Sequence, residues 1–582
     1  MKTNIYLHIL FILLFASSCN MERLPLNGPT TGTFPASEQE ATMGLLAAYK
    51  ELGVMDSSKT KILHVMDNIS DIGYTRPGAN YTPPITSSLT SDNSLAIKPW
   101  RLYYKTIGRV HIVLDNLENI RDEMSEANYK QIEAELRFIR AYAYSKLIEF
   151  YGDVPLVLHS LGLDDSQVAR TPKSKVQEWI ISELTEIAEN LPVSQSAYGN
   201  ARASKVAAYM LLSRIALYSK KYDIAAASAK KAIGYSKGQH ELTPFDNSIS
   251  FVNKNHEVGE PSCSNIFGYE GYATSKEWIF VHEFNQSIGY THNQGYYQGS
   301  RLAKGCAYFG PTQNLVDSYQ CKDGQYITES PLYNENNPYE NRDPRLDLYV
   351  ARPGARLMGF EFQSNNKYAK VANYWPIILQ ESNSANQVKN SDATNAYRSF
   401  SGYYWRKHTD LKDYATNSSR GVSEMNVGVF RYAELLLIYA EAKIELNEID
   451  ASVYDAINAI RKRAHMPELP SGLSQKEMRK ALRYERKAEL CDEGLRWYDL
   501  RRWGIAKDVM NGYIYLNRSG NSWTKSVLKG FDDSANPVYN HTEAQKYFNF
   551  QEVVFQVNKD ELWPIPEQEL NVNEKLTPNP GY

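Results

Sequence analysis

The cysteine at position 19 stands where thiol acylation takes place in exported lipoproteins. Residues 1–4 carry one lysine, residues 5–16 are almost entirely apolar, and Ala16-Ser17-Ser18 lead into Cys19. A basic start, a short apolar core and small residues are typical of a secretory signal, and the run is too short to span a bilayer. The pattern therefore predicts a lipoprotein signal peptide over 1–18 and a lipidated flexible tether over 19–34. The alternative is an ordinary cleaved signal with an incidental cysteine.

The other four cysteines show no pattern of a metal or redox site. They are Cys263, Cys306, Cys321 and Cys491, and they form neither a C-x-x-C pair nor a cluster with histidine at ligand spacing. Cys306 and Cys321 can pair in an oxidising compartment, and the sequence leaves a disulfide open. We expect no metal site and no cofactor, although the sequence leaves open whether calcium supports a loop.

Catalytic constellations are equally lacking. The eleven histidines are scattered, and the chain contains no H-E-x-x-H, G-x-S-x-G or Walker motif. Carboxylates such as Asp67, Asp71, Glu283 and Asp343 leave a glycosidase pair open, but we predict no catalytic residue. The charged run 485–496 has i, i+3 and i+4 spacing, which predicts ion pairs on a helix surface.

The charge and composition of the chain limit the kinds of partner that it can bind. The net charge is −3 with lysine and glutamate well mixed, so no basic stripe indicates nucleic acid and no polybasic segment indicates an anionic membrane surface. Aromatic residues are abundant, with 42 Tyr, 19 Phe and 9 Trp, and tyrosine suits recognition surfaces as well as cores.

Helices must position whatever site the chain carries. Apolar residues recur every three or four positions over 129–151, and Gly152 ends this helix. Residues 204–218 and 222–233 predict an antiparallel helix pair with alanines at the close contacts, similar to a tetratricopeptide hairpin. A second pair is predicted over 431–446 and 451–463, followed by a helix from Gln475 that Ser474 and Glu477 cap.

The middle of the chain has another character. Residues 236–428 are rich in Gly, Asn, Ser and Tyr with short apolar runs, which predicts long loops and a few short strands. Loops of this length within a compact protein are usually functional. The fold class is thus mostly α: a helix-pair scaffold over about 35–235 and 429–582, with one large loop-rich region inserted at about 236–428, all in a single domain.

Several segments together resemble one family. They are Leu136–Tyr142 leading to Tyr151-Gly152-Asp153-Val154-Pro155, Arg431–Ala442, Asn458–Ala464, Arg496–Trp503, Trp563-Pro564-Ile565-Pro566 and Asn579-Pro580-Gly581-Tyr582. In this order they are similar to the SusD/RagB family of outer-membrane nutrient-binding lipoproteins of Bacteroidetes. The resemblance extends from Cys19 to the last residue.

The resemblance implies a fold and a function. It implies four tetratricopeptide-like helix pairs with inserted loops, on the outer face of the outer membrane. It also implies a lid on a SusC-like TonB-dependent transporter, which captures glycans without cleaving them. The family motifs belong to the scaffold, and glycan-contacting residues vary with the sugar, so none is transferred.

Physical chemistry alone suggests where a sugar binds. Sugar rings stack their C–H faces on aromatic rings and form hydrogen bonds with Asn, Arg, Gln and Asp side chains. Two loop segments, residues 67–81 and 285–309, offer both. We predict contacts from Asp67, Tyr74, Arg76 and Tyr81 in the first and from Tyr290, Asn293, Tyr296, Tyr297 and Arg301 in the second. Trp100 and Trp278 are assigned to the core.

Two other functions stay open from the sequence. A surface glycoside hydrolase would also account for the lipoprotein signal and the aromatic residues, but it needs a carboxylate pair across a cleft. A peptide-binding helical-repeat module would account for the helix pairs alone.

Overall fold

The computed structural model describes residues 34–53, 62–78, 80–195, 199–245, 262–373, 387–410, 413, 422–517 and 525–582. The predicted signal peptide, Cys19 and all of the predicted tether except Phe34 lie outside the described residues. Within the described ranges, no helix is both long enough and apolar enough to cross a membrane.

The N-terminal part is built from helices that pack side by side. The longest of them begins at the N-cap Ser125, whose hydroxyl accepts a hydrogen bond from the Asn128 amide, and ends before Gly152 at φ +72°. The elements are α1 (Glu38–Leu52), α2 (Ile62–Asn68), β1 (Gly73–Thr75), α3 (Ser94–Leu117), α4 (Glu126–Tyr151), α5 (Lys173–Ile187), α6 (Lys205–Tyr218) and α7 (Tyr222–Ser236).

The middle region contains only short elements, as the sequence predicts. The helices are α8 (Ser264–Phe267), α9 (Tyr269–Thr274), α10 (Gln294–Gln298), α11 (Gln313–Ser318), α12 (Arg345–Tyr349) and α13 (Ser391–Thr394). The strands are β2 (Trp278–His282), β3 (Phe309–Pro311), β4 (Val350–Ala351), β5 (Arg356–Leu357), β6 (Phe360–Glu361), β7 (Lys370–Ala372), β8 (Gln387–Lys389) and β9 (Tyr404–Trp405). They form two-stranded antiparallel ladders, including β1–β3 and β4–β9.

The C-terminal part begins with the predicted helices but also contains strands that were not predicted. It contains β10 (Val427–Arg431), α14 (Tyr432–Glu445), α15 (Ala451–Arg463), α16 (Gln475–Leu490), α17 (Arg496–Arg502), α18 (Ala506–Val509), β11 (Gly512–Asn517), β12 (Leu528–Phe531), β13 (Pro537–Tyr539), α19 (His541–Tyr547), β14 (Phe548–Val553) and α20 (Glu567–Val572). The Ser474–Glu477 capping box of α16 is present. Between 512 and 553, however, strands β11–β14 and β12–β13 pair where a helical scaffold is predicted.

One apolar core joins both helical parts. The α6–α7 hairpin packs closely because Ala225, Ala229 and Ala232 are fully buried at its contact. Helix α14 packs against α7, α15 and α16, so the two predicted helix pairs are neighbours. Trp100 and Trp278 are buried as predicted. The mostly helical fold with helix pairs is therefore confirmed.

The charged run after residue 485 lies in the interior and not on a helix surface. Glu485, Arg486 and Glu489 on α16 are buried. Glu489 accepts hydrogen bonds from Arg431 at 2.9 Å and Arg345 at 3.2 Å, and it also pairs with Arg463. The prediction of surface ion pairs is wrong because other elements bring arginines into the interior beside Glu489, Arg345 from α12 and Arg431 from the end of β10. The run has a structural role, since charges removed from water require partners.

All four described cysteines are buried free thiols. Cys306 and Cys321 therefore do not form the disulfide that the sequence left open. Burial raises the pKa of the Cys306 thiol to about 12, so it stays protonated at neutral pH.

Candidate ligand-binding site

Strand pairing brings the two predicted binding segments together. β1 from the first segment pairs antiparallel with β3, which begins with the last residue of the second, and Tyr74 lies opposite Gly310. The ladder continues one residue further, because the Arg76 amide donates to the Tyr308 carbonyl at 2.9 Å. Two loops far apart in sequence thus form one surface.

A cleft of about 530 Å³ opens beside this ladder. We call it the aromatic cleft, and its lining residues are Tyr74, Pro77, Phe400, Leu516, Gln545, Phe548, Asn549, Phe550 and Gln551. They come from β1 and the residues after it, from the loop before β9, and from the β11–β14 ladder with the end of α19. The cleft combines rings with three side-chain amides, and the ring of Phe550 is 43% exposed.

Arg76 lies beside the aromatic cleft, directly before Pro77 and against the ring of Phe400. Its guanidinium carbon lies 5.0 Å from the ring centre of Phe400 and 4.6 Å from that of Tyr397, and it donates to the Ala396 carbonyl. Its Nη1 is buried and has no acceptor among the described residues. A cation held between rings with an unused donor can bind a hydroxyl or another oxygen acceptor of a ligand.

A second group of rings continues this surface. Tyr297 lies 4.8 Å from Tyr308 and 5.6 Å from Tyr296, measured between ring centres. The guanidinium of Arg301 lies 5.9 Å from the ring centre of Tyr397, so it approaches the same ring as Arg76 from another side. The surface therefore extends from the aromatic cleft across Arg76 to Tyr297 and Arg301.

The cleft has the composition of a binding site and lacks that of a hydrolase. Among the described residues that line it there is no carboxylate, and no group of His, Cys, Asp or Glu in the described part of the chain is placed to hold a metal ion. Aromatic faces and amides can bind a polar ring, but they provide no general acid or base.

Comparison with known proteins identifies the family. A sequence profile of the SusD family matches residues 276–582. The chain belongs to the SusD family. A second profile, described as starch-binding and associating with the outer membrane, matches residues 46–217 of this SusD-family protein.

Individual relatives agree with this assignment. The chain is 26% identical over 564 residues to SusD-like protein P2 of Formosa agariphila, covering 94% of this chain and 92% of the relative. A crystal structure of a SusD-like carbohydrate-binding protein from Bacteroides fragilis matches with a TM-score of 0.73 at 24% identity, covering 93% of this chain and 99% of that one. A laminarin-binding SusD-like protein matches with a TM-score of 0.60 at 20% identity, covering 94% and 100%. The solved structures show that the fold is shared.

Several of the predicted contact residues are interior in this SusD-family protein. Asp67 is fully buried, and its carboxylate accepts hydrogen bonds from the amides of Glu493, Gly494 and Arg496 at 2.8–3.0 Å. Burial raises the pKa of Asp67 to about 6 despite these donors. Tyr81 is 4% exposed and packs 5.1 Å from the ring of Phe309. The predicted ligand contact is wrong for both, because neither side chain has a surface available to a ligand. Tyr74 is also buried, with 3% of its surface exposed, so it forms part of the wall of the aromatic cleft without offering a ring face for stacking.

Two other predicted residues lie away from the cleft. Tyr290 stacks on Phe284 with ring centres 4.7 Å apart, and its hydroxyl donates to the Lys50 carbonyl at 2.7 Å. It lines a separate cleft beside α1. Asn293 is buried directly before α10. Tyr290 and Asn293 therefore lie apart from the surface that the other predicted residues share. Those residues are Tyr74, Arg76, Tyr296, Tyr297 and Arg301.

Several residues of the cleft were not expected from the sequence. Tyr397 and Phe400 stand in a loop with Arg398, a combination of rings and a cation like that of the two predicted segments. Phe548-Asn549-Phe550-Gln551 alternates rings with amides, a strand signal inside a region predicted to be helical. Both signals were present, but only the folded chain places them beside Tyr74.

Proposed function

We propose that this protein binds an oligosaccharide or polysaccharide at the aromatic cleft and does not cleave it. The observation that carries this proposal is the joining of rings and amides from four distant segments in one cleft of a SusD-family fold, with the ring of Phe550 exposed and the guanidinium of Arg76 against Phe400 beside it. The names of relatives point the same way, since one solved relative is a carbohydrate-binding protein and another binds laminarin.

The chemistry of the cleft suits sugar rings. The apolar C–H face of a pyranose can stack on the exposed ring of Phe550, and burying that face releases water from both surfaces. Gln545, Asn549 and Gln551 each offer a donor and an acceptor, which matches hydroxyl groups that both donate and accept. Arg76 adds a donor at the edge.

Delivery to a transporter is the second part of the proposal. We propose that a lipid on Cys19 holds the protein at the outer membrane, where it passes the glycan to a SusC-like TonB-dependent transporter. The family resemblance and the profile associated with the outer membrane support this placement. Co-purification of the native protein from outer membranes should recover a TonB-dependent transporter, and its consistent absence would contradict this part.

Binding without cleavage has a direct test. The mature protein should be retarded in native gels that contain one or more polysaccharides of a panel, and prolonged incubation with the same polysaccharides should release no reducing ends. Release of reducing ends would favour the hydrolase alternative. Failure to bind any glycan, together with selective binding of peptides, would favour the helical-repeat peptide module.

A further inference from the structure

A second cleft, with a volume of about 490 Å³, lies in the helical scaffold. We call it the basic cleft. Its walls include Tyr218 at the end of α6, Lys220 in the turn, Tyr222 at the start of α7, Arg483 on α16 and Trp503 directly after α17. None of these residues lines the aromatic cleft.

The walls of the basic cleft carry more positive than negative charge. Their three carboxylates are already paired, as Arg502–Glu441 at 2.5 Å, Arg479–Glu445 at 2.7 Å and Lys476–Asp533 at 2.8 Å. Among the residues that the structure describes, Lys220 and Arg483 have no carboxylate within ion-pair distance. Two cations therefore remain unneutralised in one concave surface, which attracts an anion.

Two donors in the same walls lack acceptors. The Nε of Arg483 and the hydroxyl of Tyr218 are buried without a hydrogen-bond partner in the described structure. The only hydrogen bond of Arg483 there runs from Nη1 to the Ser534 hydroxyl at 2.6 Å. Burial lowers the pKa of Arg483, although Glu441 and Glu445 act on it in the opposite direction. A ligand with several acceptor oxygens would complete these contacts.

Aromatic faces surround the unpaired arginine. The Arg483 guanidinium lies 4.7 Å from the ring centre of Trp503, and the indole is fixed because its Nε1 donates to Glu441 at 2.7 Å. Tyr222, which is half-buried, also lines the basic cleft. A volume of this size suits one or two sugar rings better than an extended peptide.

We infer that the basic cleft binds the carboxylate of a uronic-acid residue, with the guanidinium of Arg483 and the ammonium of Lys220 facing the carboxylate and a sugar ring against Tyr222 or Trp503. This is a second, charge-selective site, separate from the aromatic cleft. It would make the protein select acidic glycans, which goes beyond the proposed function of glycan binding.

The test compares one ligand with and without its charge. Trigalacturonate and its fully methyl-esterified form have the same rings, but only the first carries carboxylates. Isothermal titration of the wild-type mature protein should give at least tenfold tighter binding of trigalacturonate, and the difference should shrink as salt rises. Equal affinity for the two forms would overturn the inference, and this comparison uses only the wild-type protein.

Two variants then locate the site. Arg483→Gln should lower trigalacturonate affinity about tenfold or more, whereas Arg121→Gln should leave it unchanged, because Arg121 is exposed, pairs with Glu118 and Glu126, and lies outside both clefts. Unchanged melting temperature would show that Arg483→Gln folds. Full retention of affinity in Arg483→Gln would overturn the inference. So would equal competition by an acidic peptide such as triglutamate, which would show that the cleft accepts peptides.

The outcome separates this inference from the proposed function. Binding of neutral glycans should be unaffected by Arg483→Gln and weakened by Phe550→Ala. Charge-selective binding that only Arg483→Gln removes would support the basic cleft even if no neutral glycan binds. Neutral binding at Phe550 without any preference for trigalacturonate would overturn the inference and leave the proposed function intact.

Discussion

Truncation of Phe550 probes the aromatic cleft with a magnitude that follows from its exposure. The side chain is 43% exposed, which corresponds to roughly 85 Å² of a ring whose total surface is on the order of 200 Å². A sugar ring covers about half of that, about 40 Å², and at about 25 cal/mol per Å² this contributes about 1 kcal/mol. Phe550→Ala should therefore raise the Kd for a bound neutral glycan about fivefold.

The assay is isothermal titration with whichever neutral glycan the gel panel identifies. Phe550→Tyr keeps the flat ring and should bind like the wild type. Tyr129→Ala is the matched control, because Tyr129 is a half-exposed aromatic residue beneath an arginine, with Arg121 at 4.7 Å, outside the cleft. A change of less than 1.5-fold in a folded Phe550→Ala protein, equal to that of Tyr129→Ala, would refute the reasoning.

Three further predictions concern the core and the anchor. Glu489→Ala should lower the free energy of unfolding, measured with urea, by about 3–5 kcal/mol, because it leaves buried arginines without their carboxylate. The control is Glu178→Ala, at an exposed position. A change in the free energy of unfolding as small as that of the control would contradict the structural role of the buried charged residues. Burial lowers the pKa of Lys487 to about 7, whereas the side chain in the unfolded chain titrates at about 10.4. The free energy of unfolding should therefore rise with pH between these two values, and it should rise less steeply in Lys487→Met. Identical slopes of the free energy of unfolding against pH in the two proteins, measured with urea, would contradict this. Cys19→Ala should keep glycan affinity in solution and remove the protein from the membrane fraction, and its retention in membranes would argue against a lipid on Cys19.

The scaffold could be predicted because its signals are local. The alanines of the α6–α7 hairpin and the Ser474–Glu477 capping box specify their contacts within a few residues of sequence. The fate of the run around Glu489 could not be predicted in this way. Burial of a charged helix face depends on which cations other segments bring, and Arg345 and Arg431 come from elements remote in the chain.

For the binding surface too, some residues could be predicted from the sequence and others could not. Rings beside polar groups led to Tyr74 and Arg76, which lie at the aromatic cleft. The same pattern was misleading at Asp67 and Tyr81, because the composition of a loop does not reveal which side chains turn inward. Phe550 was missed because strands β11 and β14 pair across 30 or more residues, and that contact places its ring near β1.

A crystal structure of the mature protein soaked with a bound oligosaccharide tests the central claim most directly. We expect an uncleaved sugar ring stacked on Phe550, with hydroxyl groups within hydrogen-bond distance of the amides of Asn549 or Gln551. A neutral sugar seated instead in the separate cleft beside Tyr290, or density for a cleaved product, would contradict it.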